Sequence, residues 1–355
     1  MGLLERTVKD ISPQDSASRE AAKERLDNLA VPHWALGDLM DLSIDIAGMM
    51  RTITPVIRKK TIVTMAADHG VVAEGVSKFP SEVTQQMVYN FVNGGAGINA
   101  LAKQAGANVV VVDMGVNADL NDLAKSGKII NKKVGLGTDN MAVGPAMSKA
   151  MAVRAIESGI DIANELSATT DLFGTGDMGI GNTTSSTAIA AVCTKKPVED
   201  LTGRGTGLDD EQLLHKISVI KKALEVNSIN EKDGVDILSK VGGFEIGGIA
   251  GLILGAAANQ KPIIIDGFIS TAGALIANAI EPFVKDYLIF AHRSVEPGHK
   301  AMQEHLRCEK PLLDLNFRLG EGTGAAVAMN LVEGAIAILK EVSTFEEAAV
   351  AGADK

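Results

Sequence analysis

The chain has 355 residues, of which 46% are hydrophobic and only 3% aromatic, and its formal net charge is −10. An acidic chain without a lysine or arginine cluster is not expected to bind nucleic acid or an anionic membrane surface. Cys193 and Cys308 are far apart, so the sequence gives no basis for a disulfide framework or a zinc site, and a charged N-terminus favours a soluble, cytoplasmic protein.

The N-terminal segment, residues 1–58, is predicted to be a helical appendage without strands. Residues 16–29 are rich in alanine, glutamate and arginine and end before Pro32, and the helical pattern resumes over 34–50.

From residue 60 onwards, short apolar runs alternate with helical segments. Strands are predicted at 60–67, 108–112, 128–134, 170–173, 262–265 and 287–291. Helices are predicted at 81–104 with an interruption at 94–97, and at 145–166, 185–193, 210–227, 233–241, 246–259, 272–284 and 324–339. This alternation predicts an α/β fold with a mostly parallel sheet flanked by helices.

Polar residues follow four of the predicted strands: Asp68, Asp113, Asp266 and His292. Ligands of open parallel sheets bind beyond the carboxyl ends of the strands, so the site is expected at that edge. Two of these positions, Asp68-His69 and the segment 292–299, fit a catalytic pair, a metal-ligand set or a hydrogen-bonded turn. No HxH or HExxH spacing is present, and no metal is predicted.

Two glycine-rich loops are candidates for binding a phosphate. The loop 173–184 follows a strand and opens a helix, so backbone N–H groups and the Thr183 hydroxyl are available to an anion. It is neither a Walker A loop nor a dinucleotide fingerprint in the first βα turn. The loop 202–210 precedes the helix that carries Lys216. The alternatives are tight helix packing for the first loop, and a solvated Lys216 and an N-cap role for Asp209 in the second.

Glu321 stands between glycines in the segment 318–324. Glycines on both sides allow positive φ and close backbone approach. Thr323 is predicted to cap the following helix, whose dipole would favour an ionised Glu321. Glu321 is therefore predicted to be a catalytic base, with a capping loop whose glutamate faces water as the alternative.

These loops together resemble the nicotinate-nucleotide–dimethylbenzimidazole phosphoribosyltransferase family. The matching segments occur in order and include 67–71, 75–77, 82–84, 94–96, 179–184, 205–210, 265–268, 292–299 and 319–324. The resemblance implies transfer of the 5-phosphoribosyl group of nicotinate mononucleotide to a lower-ligand base such as 5,6-dimethylbenzimidazole, without a cofactor. The products are an α-ribotide of cobamide biosynthesis and nicotinate.

The resemblance also implies an architecture and a set of site residues. A Rossmann-like catalytic domain would span 59–324, a small helical domain would combine 1–58 with 325–355, and the enzyme would be a homodimer. Glu321 would be the general base and Asp177 a second catalytic residue. Ser77, Gln85 and Leu319 would line the base pocket. The phosphoribosyl group would be held by Gly176, Gly179, Gly181, Asn182, Thr183, Gly205, Thr206, Gly207, Lys216 and Asp266.

One residue departs from the family pattern, since Asp177 stands where a glutamate is expected. A relative that activates phenols or purines in a heterodimer therefore stays open. Two further alternatives are an inactive subunit of a heterodimer and an NAD-dependent oxidoreductase.

Overall fold

The structure, a computed structural model, describes residues 2–205, 207–308 and 310–351. These residues form one parallel sheet with the strands β1 Lys60–Ala67, β2 Asn108–Gly115, β3 Ile130–Asn131, β4 Leu172–Met178, β5 Ile263–Ile265 and β6 Leu288–Phe290. The spatial order is β3-β2-β1-β4-β5-β6, which is the order of a Rossmann fold. Every residue of β1 is buried, as expected for a central strand covered on both faces.

Helices cover both faces of the sheet. They are α1 Leu3–Asp10, α2 Ser16–Asp27, α3 Asp38–Met50, α4 Glu82–Val92, α5 Gly97–Ala105, α6 Asn121–Lys125, α7 Lys149–Ser167, α8 Asn182–Thr194, α9 Val198–Leu201, α10 Asp210–Val226, α11 Gly234–Val241, α12 Phe244–Ala258, α13 Phe268–Ile280, α14 Gly298–His305 and α15 Thr323–Glu341. Two 3₁₀ turns, Gly70–Glu74 and Pro282–Tyr287, complete the connections.

The chain reverses direction in the sheet between β1 and β4. It builds β1, β2 and β3 towards one edge and then crosses back to place β4 on the other side of β1. The loops that leave β1 and β4 diverge at this point and leave a crevice at the carboxyl ends of the strands. The predicted site edge is therefore the open end of the sheet.

Two sequence predictions of secondary structure were wrong. The first glycine-rich loop is mostly strand, because β4 continues to Met178 and leaves only a short turn before α8. The two glycines inside β4 let α15 and the loop before it approach: a Cβ on Gly174 would lie 3.2 Å from the Ala325 Cβ. Helix α14 was also missed, because its sequence GHKAMQEH has little apolar periodicity.

A second, smaller apolar cluster joins the two chain ends. Its buried members are Ala22, Leu26, Leu29, Met40, Ile44, Ala47 and Leu339. A backbone bridge between Leu29 and Thr344 closes it. Not all of the predicted small domain belongs to this cluster, because α1 packs on the main core, as does most of α15. The division of the chain into two domains stays a prediction.

Helix α15 is a core helix, although it is the one described helix that is long and apolar enough to cross a membrane by length and composition. Of its most apolar window, 56% is buried inside the fold. It packs on β4 and on helices α3 and α5, which accounts for its apolar surface.

Helices α7 and α12 touch through their backbones. A Cβ on Gly159 would overlap the carbonyl oxygen of Gly248, and one on Gly251 would overlap that of Ile156. The Gly159→Ala substitution should therefore lower the free energy of unfolding by about 1–3 kcal/mol, because the helices must separate. Urea denaturation would measure this change.

Gly334→Ala is the matched control, because Gly334 also lies within a helix and a Cβ there meets nothing within 4 Å. It should raise the free energy of unfolding by ~0.5–1 kcal/mol through helix propensity. Equal effects of the two substitutions would contradict close packing of α7 on α12.

Candidate active site

A cavity of about 540 Å³ opens at the carboxyl ends of β4, β5 and β6. Its lining combines residues of the β4–α8 turn, the start of α4, the start of α13, the segment after β6 and the loop before α15. The lining residues are Val76, Ser77, Phe79, Val83, Met87, Asp177, Met178, Gly179, Ile180, Gly181, Asn182, Thr183, Gly205, Gly267, Phe268, Ile269, His292, Ser294, Glu296, Arg318, Leu319, Gly320 and Glu321.

The loop that carries Glu321 has an unusual backbone. Gly320, Glu321 and Gly322 have φ of +80°, +65° and +99°, so a glutamate adopts a left-handed conformation between two glycines. Such a conformation in a non-glycine residue costs about 1–2 kcal/mol and persists where surrounding contacts enforce it. Those contacts come from the sheet: Glu321 N–H donates to the Asp177 carbonyl (3.3 Å), and the Thr64 hydroxyl donates to the Glu321 carbonyl (2.9 Å).

Asp266 accepts two hydrogen bonds from the backbone of the same loop. Its Oδ2 accepts from Gly322 N–H (3.1 Å) and its Oδ1 from Ala325 N–H (3.0 Å). Asp266 is fully buried and is not among the residues that line the cavity, and its described contacts are with the loop that carries Glu321. Gly176 also contacts this loop, because a Cβ there would overlap the Glu321 carbonyl oxygen. The phosphoribosyl roles of Asp266 and Gly176 stay predictions.

The Glu321 carboxylate lies against the N-terminus of α5. Its Oε2 accepts from Ile98 N–H at 3.1 Å. Burial raises the pKa of Glu321 nonetheless, since its residue is only 5% exposed, and the N–H donors of Ile98 and Gly97 offset this only in part. The expected N-cap was wrong: Gly322 is the N-cap of α15, and the Thr323 hydroxyl donates back to the Gly320 carbonyl (2.8 Å).

Asp177 ends β4 and faces the cavity beside this loop. Its Oδ2 accepts from Asn182 Nδ2 (3.0 Å), and its buried Oδ1 has no hydrogen-bond partner among the described residues. Burial raises the pKa of Asp177 well above its ordinary value, and the carboxylates of Asp266, Glu245 and Glu321 raise it further. A neutral carboxyl group with a free O–H can donate a hydrogen bond into the cavity.

The turn between β4 and α8 presents backbone donors at a helix N-terminus. Gly179 and Gly181 line the cavity, and Gly181 is the N-cap of α8 with φ of +93°. Thr183 follows in the first turn, and its hydroxyl accepts from Lys216 Nζ at 2.8 Å. Burial lowers the pKa of Lys216 to about 8, and only 1% of the residue is exposed. Lys216 does not itself line the cavity, but its ammonium contacts Thr183, which does, beside the N-terminus of α8. A cation behind a helix N-terminus is an arrangement that suits a phosphate.

The second glycine-rich loop contributes one described residue to the lining. Gly205 lines the cavity, whereas Gly207 does not, and Thr206 lies outside the described residues. Asp209 is the N-cap of α10 and accepts from Gln212 N–H at 2.9 Å, which is the non-catalytic alternative stated for it. Lys216 lies on this helix and is buried, so the solvated alternative for this lysine is wrong.

The opposite wall of the cavity is mainly apolar. Ser77 and Leu319 line it as predicted residues, joined by Phe79 from the segment before α4 and by Val83 and Met87 from α4. Gln85 lies half-buried on α4 and does not line the cavity. A flat, apolar ring fits between these side chains better than a polar ligand does.

The histidine at the end of β1 is part of a buried turn. His69 Nδ1 lies 3.1 Å from the Ser185 hydroxyl and Nε2 lies 2.5 Å from Glu245 Oε1. All three residues are at most 2% exposed and none lines the cavity. The described part of the chain contains no group of three or more histidine, cysteine or acidic residues that could hold a metal.

Sequence reasoning missed several lining residues. Ser294 and Glu296 lie on the segment 292–299, whose histidines attracted attention while its other polar residues did not. Phe79, Val83 and Met87 carry no motif, so no sequence pattern distinguished them from other apolar residues.

A larger and shallower depression lies at the outer edge of the sheet, around residues 131–136 and 154–161. Its cations are already paired, since Lys132 bridges Asp161 and Glu165, and Arg154 donates to the Lys133 carbonyl. It therefore offers less to an anionic ligand than the cavity at the strand ends.

Comparison with known proteins gives consistent matches over the whole chain. A family model described as "Phosphoribosyltransferase" matches residues 11–350. A protein of Desulfotalea psychrophila named nicotinate-nucleotide–dimethylbenzimidazole phosphoribosyltransferase is 69% identical over 355 residues, covering 100% of both chains. A Syntrophotalea carbinolica protein of the same name is 58% identical over 350 residues, covering 99% of each. The crystal structure of the similarly named Thermus thermophilus protein has a TM-score of 0.89 and 40% identity and covers 95% of this chain and 99% of its own.

The raised pKa of Asp177 predicts a change in stability with pH. A carboxyl group whose pKa is higher in the folded than in the unfolded state contributes stability below its unfolded pKa, and this contribution is lost as pH rises through the folded pKa. Asp177→Asn should therefore be more stable than the unmodified protein at neutral pH, on the order of 1 kcal/mol, and the gain should shrink on acidification. Thermal unfolding at neutral and acidic pH measures it.

The control is Asp161→Asn, which removes the same charge from the exposed pair with Lys132. It should change the unfolding midpoint little at either pH. A less stable Asp177→Asn protein at neutral pH would show that Asp177 is ionised in the fold.

Proposed function

The chain belongs to the nicotinate-nucleotide–dimethylbenzimidazole phosphoribosyltransferase family, and on this premise we propose that it transfers the 5-phosphoribosyl group of nicotinate mononucleotide to a lower-ligand base. The base is 5,6-dimethylbenzimidazole or a similar azole, and the products are an α-ribotide of cobamide biosynthesis and nicotinate. The observation that carries this proposal is that Glu321 lines one cavity together with apolar side chains and with Thr183, whose hydroxyl accepts from the buried Lys216.

The reaction is a single displacement at the anomeric carbon. An azole nitrogen attacks this carbon, the bond to the nicotinate nitrogen breaks, and nicotinate leaves as a pyridine that needs no proton. The attacking azole gains positive charge, and its second N–H must lose a proton to Glu321. A base with a raised pKa suits this task, because its carboxylate holds a proton more strongly than an exposed glutamate does.

Asp177 is proposed to act as a neutral donor at the ribose. Its free Oδ1 lies next to the Glu321 loop, and a Cβ on Gly320 would lie 3.2 Å from both Asp177 oxygens. An aspartate here is one methylene shorter than the glutamate of the family pattern. The shorter side chain keeps the carboxyl group close to β4 and leaves more of the cavity to the ligand.

The apolar wall supports a flat azole as the acceptor. Phe79, Val83 and Met87 would pack on the ring faces, and Ser77 supplies a hydroxyl at the edge. A phenol-activating or purine-activating paralogue in a heterodimer stays the second candidate, because Asp177 departs from the pattern. Glu321 argues against an inactive subunit, and membership of a transferase family argues against an NAD-dependent oxidoreductase.

We further propose that the two chain ends form a small helical domain.

We also propose that the enzyme is a cytoplasmic homodimer. The mouth of the cavity exposes apolar side chains, since Leu319 is 61% and Phe79 is 50% exposed. Exposed apolar side chains at a cavity mouth favour cover by a second protein surface. Sedimentation should give about twice the mass of the 37.0 kDa chain, and a monomer at micromolar concentration would contradict the dimer.

Replacing Glu321 with glutamine should remove catalysis and keep substrate binding. Glutamine has the same shape but cannot accept the azole proton, so kcat should fall about 10²- to 10⁴-fold. Nicotinate release from nicotinate mononucleotide in the presence of dimethylbenzimidazole measures the rate, and calorimetry measures mononucleotide binding. In the unmodified enzyme kcat/KM should rise with pH through the raised pKa of Glu321, and this limb should disappear in the variant.

Glu341→Gln is the matched control, because Glu341 is an exposed carboxylate at the far end of α15. It should turn over like the unmodified enzyme. Normal turnover in Glu321→Gln would remove Glu321 from the mechanism, and no ribotide with any azole, purine or phenol would overturn the proposed function.

A further inference from the structure

A carboxylate lies in the part of the cavity that is assigned to the substrate phosphate. Glu296, on the turn after β6, lines the cavity, and its buried Oε2 has no hydrogen-bond partner among the described residues. A second negative charge next to an anion subsite repels the ligand, so its presence needs a physical reason.

Glu296 contacts the loop that also faces Lys216. A Cβ on Gly203 would overlap the Glu296 Oε2 and lie 2.7 Å from its Cδ, so the carboxylate packs directly on the backbone of this loop. Two residues further on, a Cβ on Gly205 would lie 3.3 Å from Lys216 Nζ. The carboxylate and the ammonium therefore approach the same short segment, 203–205.

The charges around Glu296 are mainly positive. Burial raises the pKa of Glu296, and the Lys216 ammonium, the Gly205 N–H and the Arg318 guanidinium offset this in that order. Glu296 in turn counteracts the effect of burial on the pKa of Lys216. On its own segment, Arg293 is paired with Asp314. Glu296 and Lys216 do not form a direct ion pair, but each favours the charged form of the other in a partly dehydrated pocket.

The turn that carries Glu296 is held rigidly by a histidine. Ser294 N–H donates to His299 Nδ1 (2.9 Å), so the imidazole proton is on Nε2, which donates to the Thr271 hydroxyl (2.9 Å). That hydroxyl donates to the Gly267 carbonyl at 2.8 Å. Burial lowers the pKa of His299 to about 3, so the ring is neutral and this chain of hydrogen bonds does not change near neutral pH. The Ser294 hydroxyl accepts from Glu296 N–H at 3.3 Å.

We propose that Glu296 is a resident counter-anion of the phosphate subsite. In the free enzyme its carboxylate neutralises Lys216, and it competes with the phosphate of the substrate for this cation. The inference rests on the proposed function, because it takes Lys216 as a ligand of the phosphate.

Such competition has a use in this reaction. The 5′-phosphate is present in the substrate and in the product ribotide, so tight binding of the phosphate stabilises both equally and does not lower the barrier. A carboxylate that weakens this binding lets the product leave. It also limits occupation of the subsite by inorganic phosphate and other phosphate monoesters.

Removal of the Glu296 charge tests the proposal. Sulfate is the probe, because it is a dianion throughout the working pH range and any pH effect then belongs to the protein. Sulfate binding is measured by calorimetry at about pH 6.5, because Lys216 is charged there in all proteins that contain it. Under these conditions Glu296→Gln should bind sulfate on the order of tenfold more tightly than the unmodified enzyme. In turnover assays its KM for nicotinate mononucleotide should fall and its kcat should not rise. If Glu296→Gln does not fold, Glu296→Ala removes the same charge.

Two further variants complete the experiment. Glu211→Gln removes an exposed charge from the same helix as Lys216 and should leave sulfate binding unchanged. Lys216→Met should lose most of the sulfate affinity. If Lys216→Met binds sulfate normally, the proposed phosphate subsite is wrong. If Lys216→Met weakens binding but neither Glu296 variant tightens it, the counter-anion is overturned and the proposed function stands.

Discussion

The hydrogen bonds that Asp266 accepts from the loop before α15 hold the reactive part of this molecule together. Asp266 comes directly after β5, so its position is set by the sheet, and it receives N–H donors from Gly322 and Ala325. Each such bond stabilises the folded state by on the order of 1 kcal/mol net. Together the two bonds offset the cost of the left-handed backbone at Glu321, which is about 1–2 kcal/mol. The carboxylate proposed as the base is therefore held in place largely by a strand end of the sheet.

Four carboxyl groups act on one another near this loop, namely Asp177 and the three whose charges raise its pKa, Asp266, Glu245 and Glu321. They divide into two kinds. Glu245 has His69 as a partner at 2.5 Å, and the charge of His292 lowers the pKa of Asp266 against the effect of burial. Asp177 and Glu321 line the cavity and have no histidine partner among the described residues. Carboxylates this close cannot all ionise, and Asp177 is the member whose pKa is raised well above its ordinary value. In the proposed mechanism Asp177 is the neutral donor and Glu321 the base, which is the division that acid–base chemistry needs.

The sequence predicted the helices and strands better than it predicted the contacts of individual residues. Apolar runs followed by polar residues located the sheet and its functional edge, because a buried parallel strand has a strong local signal. The contacts of Gly176 and Asp266 with the Glu321 loop were not predicted, because a strand glycine and a strand-end acid look the same whether they contact a ligand or a neighbouring loop. Only the position of α15 over β4 decides between these contacts, and no local pattern encodes it. For the same reason Glu296 was passed over: its proximity to Lys216 depends on two segments that lie far apart in sequence.

The two ends of the cavity meet different energetic requirements. In the proposed reaction, charge appears at the anomeric carbon only as the reaction proceeds. Fixed groups such as Glu321 and Asp177 would therefore lower the barrier, because they are held in place before the substrate arrives. Backbone strain at Glu321 is compatible with this, because the strain is present in the free enzyme and does not increase during the reaction. At the phosphate, the charge is the same before and after reaction, so extra affinity there would only slow product release. A rigid base at one end and a cation that is partly neutralised at the other therefore satisfy the same principle, since binding energy accelerates the reaction only where it distinguishes the transition state from both the substrate and the product.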